Sequence, residues 1–203
     1  PGTDILFRRA FSVASADAGS GEVEIILKVF GRGSRALAHL HPGDKVDILG
    51  PLGNGFDEPP ADAIVVMVAG GVGFPPLLYL AQHLIAEGRH PGSIQFFYGG
   101  RSAADIIEID RITSLGVGFH PVTEDGSLGE TGMVTTPVED FVSGRDKSTI
   151  FIVGCGPEGM LRATDGLARN LGVAGQLSLE APMPCGIGVC LGCVVPLTEG
   201  GHA

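Results

Sequence analysis

Positive charge is scarce in this chain of 203 residues: 13 Lys and Arg stand against 23 Asp and Glu, a formal charge of −10. So acidic a chain excludes nucleic acid or an anionic membrane surface as the main partner. Long apolar runs are missing as well. None reaches the ~18–20 residues that span a bilayer, and no basic segment followed by an apolar one marks a secretion signal. Charged residues make up only 18% of the chain and hydrophobic residues 44%, which excludes a mainly disordered state. Glycine (33) and proline (14) are abundant, but they fall between apolar runs and read as turns. No internal repeat is visible. Cysteines are few and uneven: Cys155 stands alone, whereas Cys185, Cys190 and Cys193 fall within nine residues. Disulfides of a secreted fold are scattered, so this crowding points to a metal or redox site in a reducing compartment, the cytoplasm.

Three regions differ in pattern. Residues 1–57 read as strands. Val23, Ile25, Leu27 and Val29 recur at every second position with Glu24 and Lys28 between them, the period of a half-buried strand. Residues 45–49 form a further strand candidate, 35–40 read as one or two helical turns, and Gly53-Asn54-Gly55 is a turn of the kind that closes hairpins. Residues 58–63 read as a linker. Beyond it, apolar strands are expected over 64–69, 93–98, 117–123, 149–153 and 176–179, and helices over 77–87, 104–115, 136–142 and 157–171. Pro157 is expected at the first position of the last helix, with Glu158 in its first turn. Such alternation predicts an α/β unit, a parallel sheet with helices on both faces. The chain therefore divides into 1–57, 62–175 and 176–203.

Cys185, Cys190 and Cys193 have the spacing C-x4-C-x2-C, that of three of the four ligands of a plant-type 2Fe–2S cluster. Gly186, Gly188 and Gly192 let the loop turn backbone N–H groups toward sulfur. A zinc site is the alternative, with His202 as a nearby nitrogen ligand, and buried inert cysteines are the plainer reading. The fourth thiolate is expected beyond Ala203. Gly70-Gly71-Val72-Gly73-Phe74-Pro75-Pro76 lies between a buried strand and a helix. It is not the G-x-G-x-x-G fingerprint, because Pro76 occupies the third glycine's place. Small residues there still let the backbone approach a diphosphate at a helix N-terminus. Cys155-Gly156-Pro157 is a second small-residue turn, expected at the same sheet edge. In Arg9-Ala10-Phe11-Ser12 a strand would put Arg9 and Phe11 on one face and Ser12 on the other. Arg9 could then pair with a phosphate, Phe11 pack on a flat ring and Ser12 hydrogen-bond a ring nitrogen; a solvated Arg and a core Phe is the plain alternative. Lys28 and the turn Gly31-Arg32-Gly33-Ser34 add cations and an anion-friendly backbone.

In this order the motifs resemble the ferredoxin–NADP reductase superfamily, and within it the family of electron-transfer subunits of dihydroorotate dehydrogenase B. The resemblance implies a partial antiparallel β-barrel that binds FAD over 1–57, an NAD-binding α/β domain over 62–175 and a cluster-binding segment over 176–203. It implies that Arg9, Ala10, Phe11, Ser12, Ile26, Leu27, Lys28, Gly33 and Ser34 face FAD, with Ser12 near flavin N5. It places NAD on Gly70, Gly71, Gly73, Pro76, Cys155, Gly156 and Pro157, and the 2Fe–2S cluster on Cys185, Cys190 and Cys193. Gly50–Phe56, Thr123-Glu124-Asp125-Gly126-Ser127 and Glu180 also match family segments. Departures lie at Ala10, Leu27-Lys28 and Ser34, where Lys28 cannot reproduce a bidentate Arg–phosphate contact. The implied activity is an electron relay with no acid or base side chain. An FMN-containing dihydroorotate dehydrogenase catalytic subunit, two copies paired with two of this chain, feeds electrons through the cluster and FAD to NAD+ in pyrimidine biosynthesis. The apolar residues Ile187, Val189 and Leu191 suit the docked partner. The alternatives are a flavin and iron–sulfur reductase subunit of a hydrogenase or transhydrogenase complex, and a non-catalytic zinc-stapled interaction module.

Overall fold

The computed structural model describes residues 8–195. His202, the alternative zinc ligand, lies outside them. The described residues form two compact units, one of 13–26 and 56–180, the other of 8–12, 27–55 and 181–195.

The larger unit opens with a short antiparallel hairpin, β1 (Ser15–Asp17) and β2 (Glu22–Glu24). The smaller unit contains α1 (Arg32–Ala38). A parallel sheet then follows in the larger unit. Its elements are β3 (Ile64–Gly70), α2 (Phe74–Ala86), β4 (Ile94–Gly100), α3 (Ile109–Ser114), β5 (Gly118–Thr123), β6 (Glu130–Thr131), α4 (Thr135–Ser143), β7 (Ile150–Cys155), α5 (Glu158–Leu171) and β8 (Ala174–Ser178). The strand order is β6-β5-β4-β3-β7-β8, and every pair is parallel.

The sheet is buried on both faces, which is why β3 reads as an unbroken apolar run. Val65, Met67 and Ala69 join Phe96, Tyr98 and the α2 residues Leu77, Leu78 and Ala81 in one core. Val66 and Val68 face the other way, into a core with Phe97, Val138 and Val142 of α4 and Leu167 of α5. Proline and glycine punctuate the helices. Pro75 and Pro76 lie in the first turn of α2, where an N–H has no intrahelical acceptor to lose. Gly172, at φ +67°, ends α5 in the left-handed conformation that a side chain resists. The exposed pairs Arg162–Glu158 (2.6 Å) and Arg169–Asp165 (2.8 Å) line α5 at i,i+4 spacing, each worth about 0.3–0.5 kcal/mol.

The linker is latched to this unit. Arg89 donates to the carbonyls of Pro59 (3.0 Å), Pro60 (2.9 Å) and Ala63 (2.8 Å), and Asp57 and Gln176 exchange hydrogen bonds of 2.9 and 3.0 Å.

Three expectations need correcting. The helix over 104–115 is a 3-10 turn, Ala103–Asp105, followed by the short α3. Glu108 adopts φ +59°, which interrupts the helix, while Ile106, Ile109 and Ile112 recur at every third position and so imitate helical period. Pro157 immediately precedes α5 rather than opening it. The strand pattern over 23–29 yields only β2, and 45–49 is no strand. A strand exists through its ladder, and among the described residues 25–29 and 45–49 join no strand ladder; Val29, Val46, Ile48 and Leu49 are exposed accordingly. No helix among the described residues is long and apolar enough to cross a membrane.

Candidate nucleotide and cofactor sites

In the parallel sheet β3 and β7 are neighbours, with Ala69 opposite Cys155. The two glycine turns therefore leave the sheet side by side. The chain passes from β3 to β4 on one side and returns to β7 on the other. This is the switch point where open α/β sheets bind ligands.

The glycines answer to close packing between the turns. A Cβ on Gly73 would strike the Cys155 carbonyl and lie 2.6 Å from the Gly156 Cα. One on Gly70 would lie 2.7 Å from both Pro157 Cδ and Met160 Sδ, and one on Gly156 2.9 Å from the Gly70 nitrogen. Gly71 differs: its Cβ position is open, but its φ is +51°. Pro76 sits half-buried in the first turn of α2. Tyr98, wholly buried in β4, donates its hydroxyl to the Gly71 carbonyl at 2.8 Å. Burial drives its phenol well above the ordinary tyrosine range, so it stays a donor. Cys155 is buried, and burial pushes its thiol up to about 11. The Ser178 hydrogen bond opposes this and the Glu180 charge adds to it. At neutral pH Cys155 is a thiol, not a nucleophile.

The loops after β4 and β5 share this sheet edge. Thr123 is buried; its hydroxyl donates to the Leu128 carbonyl (2.8 Å) and accepts from the Leu128 N–H (3.0 Å). Ser127 Oγ accepts from the Ala103 N–H at 2.7 Å, tying the two loops together. Asp125 accepts from the Ser127 hydroxyl and amide, which hold its carboxyl below the usual range. Arg101 faces Asp105 at 3.8 Å.

In the smaller unit, Arg9 lies across Gly33: a Cβ there would be 3.0 Å from Arg9 Nε. Two of the sequence-selected FAD residues are thus brought together, a guanidinium over a residue without a side chain, which fits a dinucleotide phosphate. Ser34 also shapes its own helix. Its buried hydroxyl accepts from the N–H groups of Phe30 (3.1 Å) and Gly31 (3.0 Å) and so closes the start of α1. Ala10, Ser12 and Lys28 are exposed, and Phe11 and Leu27 half-buried. Ile26 packs against the core of the larger unit.

Cys185, Cys190 and Cys193 lie on an irregular loop, with Gly186 and Gly188 at φ +68° and +76°. The amides of Ile187, Cys190 and Val189 and the Cys190 side chain face Cys185 and draw its thiol down to about 6. The Gly192 N–H reaches Cys190 Sγ at 3.4 Å. A thiolate wrapped in backbone N–H groups fits an iron–sulfur ligand. Among the described residues, no three His, Cys, Asp or Glu side chains gather closely enough to hold a metal ion. Ile187, Val189 and Leu191 are exposed on this loop.

Sequence reasoning missed Tyr98, which in β4 looks like any core aromatic. It singled out Thr123 and Ser127 by resemblance, but not the ties they make.

Two family models match the chain: an oxidoreductase FAD-binding domain over residues 2–56 and an oxidoreductase NAD-binding domain over residues 67–166. Among solved structures, the NADH-dependent reduced ferredoxin–NADP oxidoreductase, studied for flavin-based electron bifurcation, superposes with a TM-score of 0.81. It is 28% identical and the match covers 94% of this chain and 67% of that one. The dihydroorotate dehydrogenase B (NAD(+)) electron transfer subunit of Geobacillus kaustophilus is 39% identical over 200 residues, 97% of this chain and 74% of that protein. Its counterpart in Listeria monocytogenes is 37% identical over 199 residues, with the same coverage. The chain belongs to the family of dihydroorotate dehydrogenase B electron-transfer subunits, within the ferredoxin–NADP reductase superfamily.

Proposed function

We propose that this chain accepts electrons from a partner dihydroorotate dehydrogenase catalytic subunit and delivers them to NAD+, in the cytoplasm and in pyrimidine biosynthesis. The partner holds FMN, and two copies of each subunit assemble. The observation that carries this reading is the pair of glycine turns packed backbone to backbone at the β3–β7 switch point. There Gly70, Gly71, Gly73, Pro76, Cys155, Gly156 and Pro157 offer a small-residue floor to a dinucleotide. Cys155 forms part of its wall as a neutral thiol and carries no proton to or from the substrate.

Arg9 and Gly33 form the phosphate cradle for FAD; Ala10, Phe11, Ser12, Ile26, Leu27, Lys28 and Ser34 complete its surroundings, with the Ser12 hydroxyl near flavin N5. Cys185, Cys190 and Cys193 supply three thiolates to a 2Fe–2S cluster. When bound, FAD and the cluster supply the exchange between hydride and single-electron transfer. The protein's part is to hold the nucleotide on the turn and to present the cluster loop, with the Cys185 thiol drawn down to about 6 by the backbone amides that face it. Ile187, Val189 and Leu191 suit the face on which the partner docks.

The test is iron, acid-labile sulfide and flavin per chain on anaerobically purified protein, followed by NAD+ reduction with dihydroorotate in the presence of the catalytic subunit. About two irons, two sulfides and one FAD are expected, with NADH formed. Flavin without iron would leave a simple flavin reductase. Zinc with neither would overturn the reading.

A further inference from the structure

The nucleotide turn is held from two sides. On one, Gly70 and Gly73 press against Pro157, Met160 and the Cys155 carbonyl. On the other, the hold is a single side chain from a strand 27 residues away, the Tyr98 hydroxyl on the Gly71 carbonyl. The Tyr98 ring is fixed by Phe74 at 5.3 Å and Phe96 at 6.3 Å between centroids. The Ile107 amide also faces its oxygen, from the connection after β4.

Gly71 gains nothing from packing, since a Cβ there would meet no atom within 4 Å. It is the conformation, φ +51°, that the position requires. In a planar trans peptide C=O and N–H point in opposite directions. With the Gly71 carbonyl drawn to the Tyr98 hydroxyl, planarity directs the Val72 N–H away from Tyr98.

We propose that Tyr98 is a positioning residue for the dinucleotide: by holding the Gly71 carbonyl it aims the Val72 N–H at the diphosphate. The inference rests on the proposed reading of this turn as the NAD site. Tyr98 touches no substrate atom and acts only through the Gly71–Val72 peptide.

The test is Tyr98→Phe in the holoenzyme, read by NADH-dependent ferricyanide reduction and by thermal melting. Phenylalanine keeps the ring packing and removes only the hydroxyl. The expected result is a KM for NADH raised about three- to tenfold, the size of one hydrogen bond, with kcat within about twofold. An unchanged KM, with or without a lower melting temperature, would make Tyr98 a structural residue and overturn the proposal. Should the variant not fold, the wild-type protein decides by amide hydrogen exchange with ADP-ribose and with adenosine as probes. Protection of the Val72 amide by ADP-ribose and not by adenosine supports the proposal; ADP-ribose binding without that protection overturns it. If ADP-ribose does not bind the wild type at all, the NAD reading of the turn itself has failed, and the proposal falls with it.

Discussion

The two units of this protein satisfy their apolar residues in different ways. In the larger, β3 alternates its side chains between two cores, and Phe97 is about as buried as a residue can be, 1% exposed. In the smaller, Phe30 is 87% exposed, and Val46, Ile48 and Leu49 also face solvent. The contrast follows from topology. A parallel sheet grows from successive strand–helix–strand units, each of which brings its own covering helix. A barrel strand has no such local partner and is buried only when strands distant in sequence close around it.

The largest test of this contrast is Phe97→Ala. It empties a site packed by His120 (4.3 Å between centroids) and Phe141 (5.6 Å), and a loss of about 3–5 kcal/mol in urea unfolding is expected. A cost under 1 kcal/mol would mean that this core is loosely packed.

Next comes Gly73→Ala. The new methyl meets backbone, the Cys155 carbonyl, which cannot swing aside as a side chain would. A loss of about 1–3 kcal/mol is expected, together with weaker NADH binding by titration calorimetry. Wild-type stability and affinity would contradict the close packing of the two turns.

A smaller effect is expected from pH. His120 stacks on Phe97 and its Nε2 hydrogen-bonds Gln95 Oε1 at 2.9 Å. Burial, the main cause, holds its pKa below the ordinary histidine range; nearby Arg145 acts in the same direction and Glu130 against it. The unfolded chain therefore takes up this proton at higher pH than the folded one. The stability from a neutral His120 is complete above about pH 6.5, the unfolded value, and is lost as pH falls through the lower folded value. Melting between pH 7.5 and 5 should show this decline, and His120→Gln should flatten it. A decline identical in the variant would assign the effect to other groups.

The smallest effect belongs to Phe30→Ala. A side chain so exposed should change stability by no more than about 0.5 kcal/mol. A loss above 1 kcal/mol in the holoenzyme would show that cofactor, partner or further chain covers the smaller unit there.

How far the site could be read in advance depended on distance along the chain. The Gly70–Pro76 turn, the Cys155–Pro157 turn and the C-x4-C-x2-C loop are contiguous, so each carried its meaning locally. The strand over 64–69 was clear because both faces of β3 are buried. Residues 104–115 mislead because Ile106, Ile109 and Ile112 keep an i, i+3 apolar rhythm across Glu108, whose left-handed backbone leaves no mark in composition. Ser34 is expected to face FAD, and its hydroxyl takes the further task of closing the start of α1. That task depends on the local fold of Phe30 and Gly31.

By itself, the sequence determined the alternation of strands and helices, the small residues at the strand ends and the crowding of thiols, because periodicity, turn chemistry and ligand spacing are local properties. Only the tertiary structure decided that β3 and β7 are neighbours, so that Gly73 lies on the Cys155 carbonyl, that Arg89 grips the linker, and that Tyr98 reaches Gly71. Each of these joins residues 26 to 86 positions apart. Strand order and crossovers fix such pairings, and no period or spacing along the chain records them.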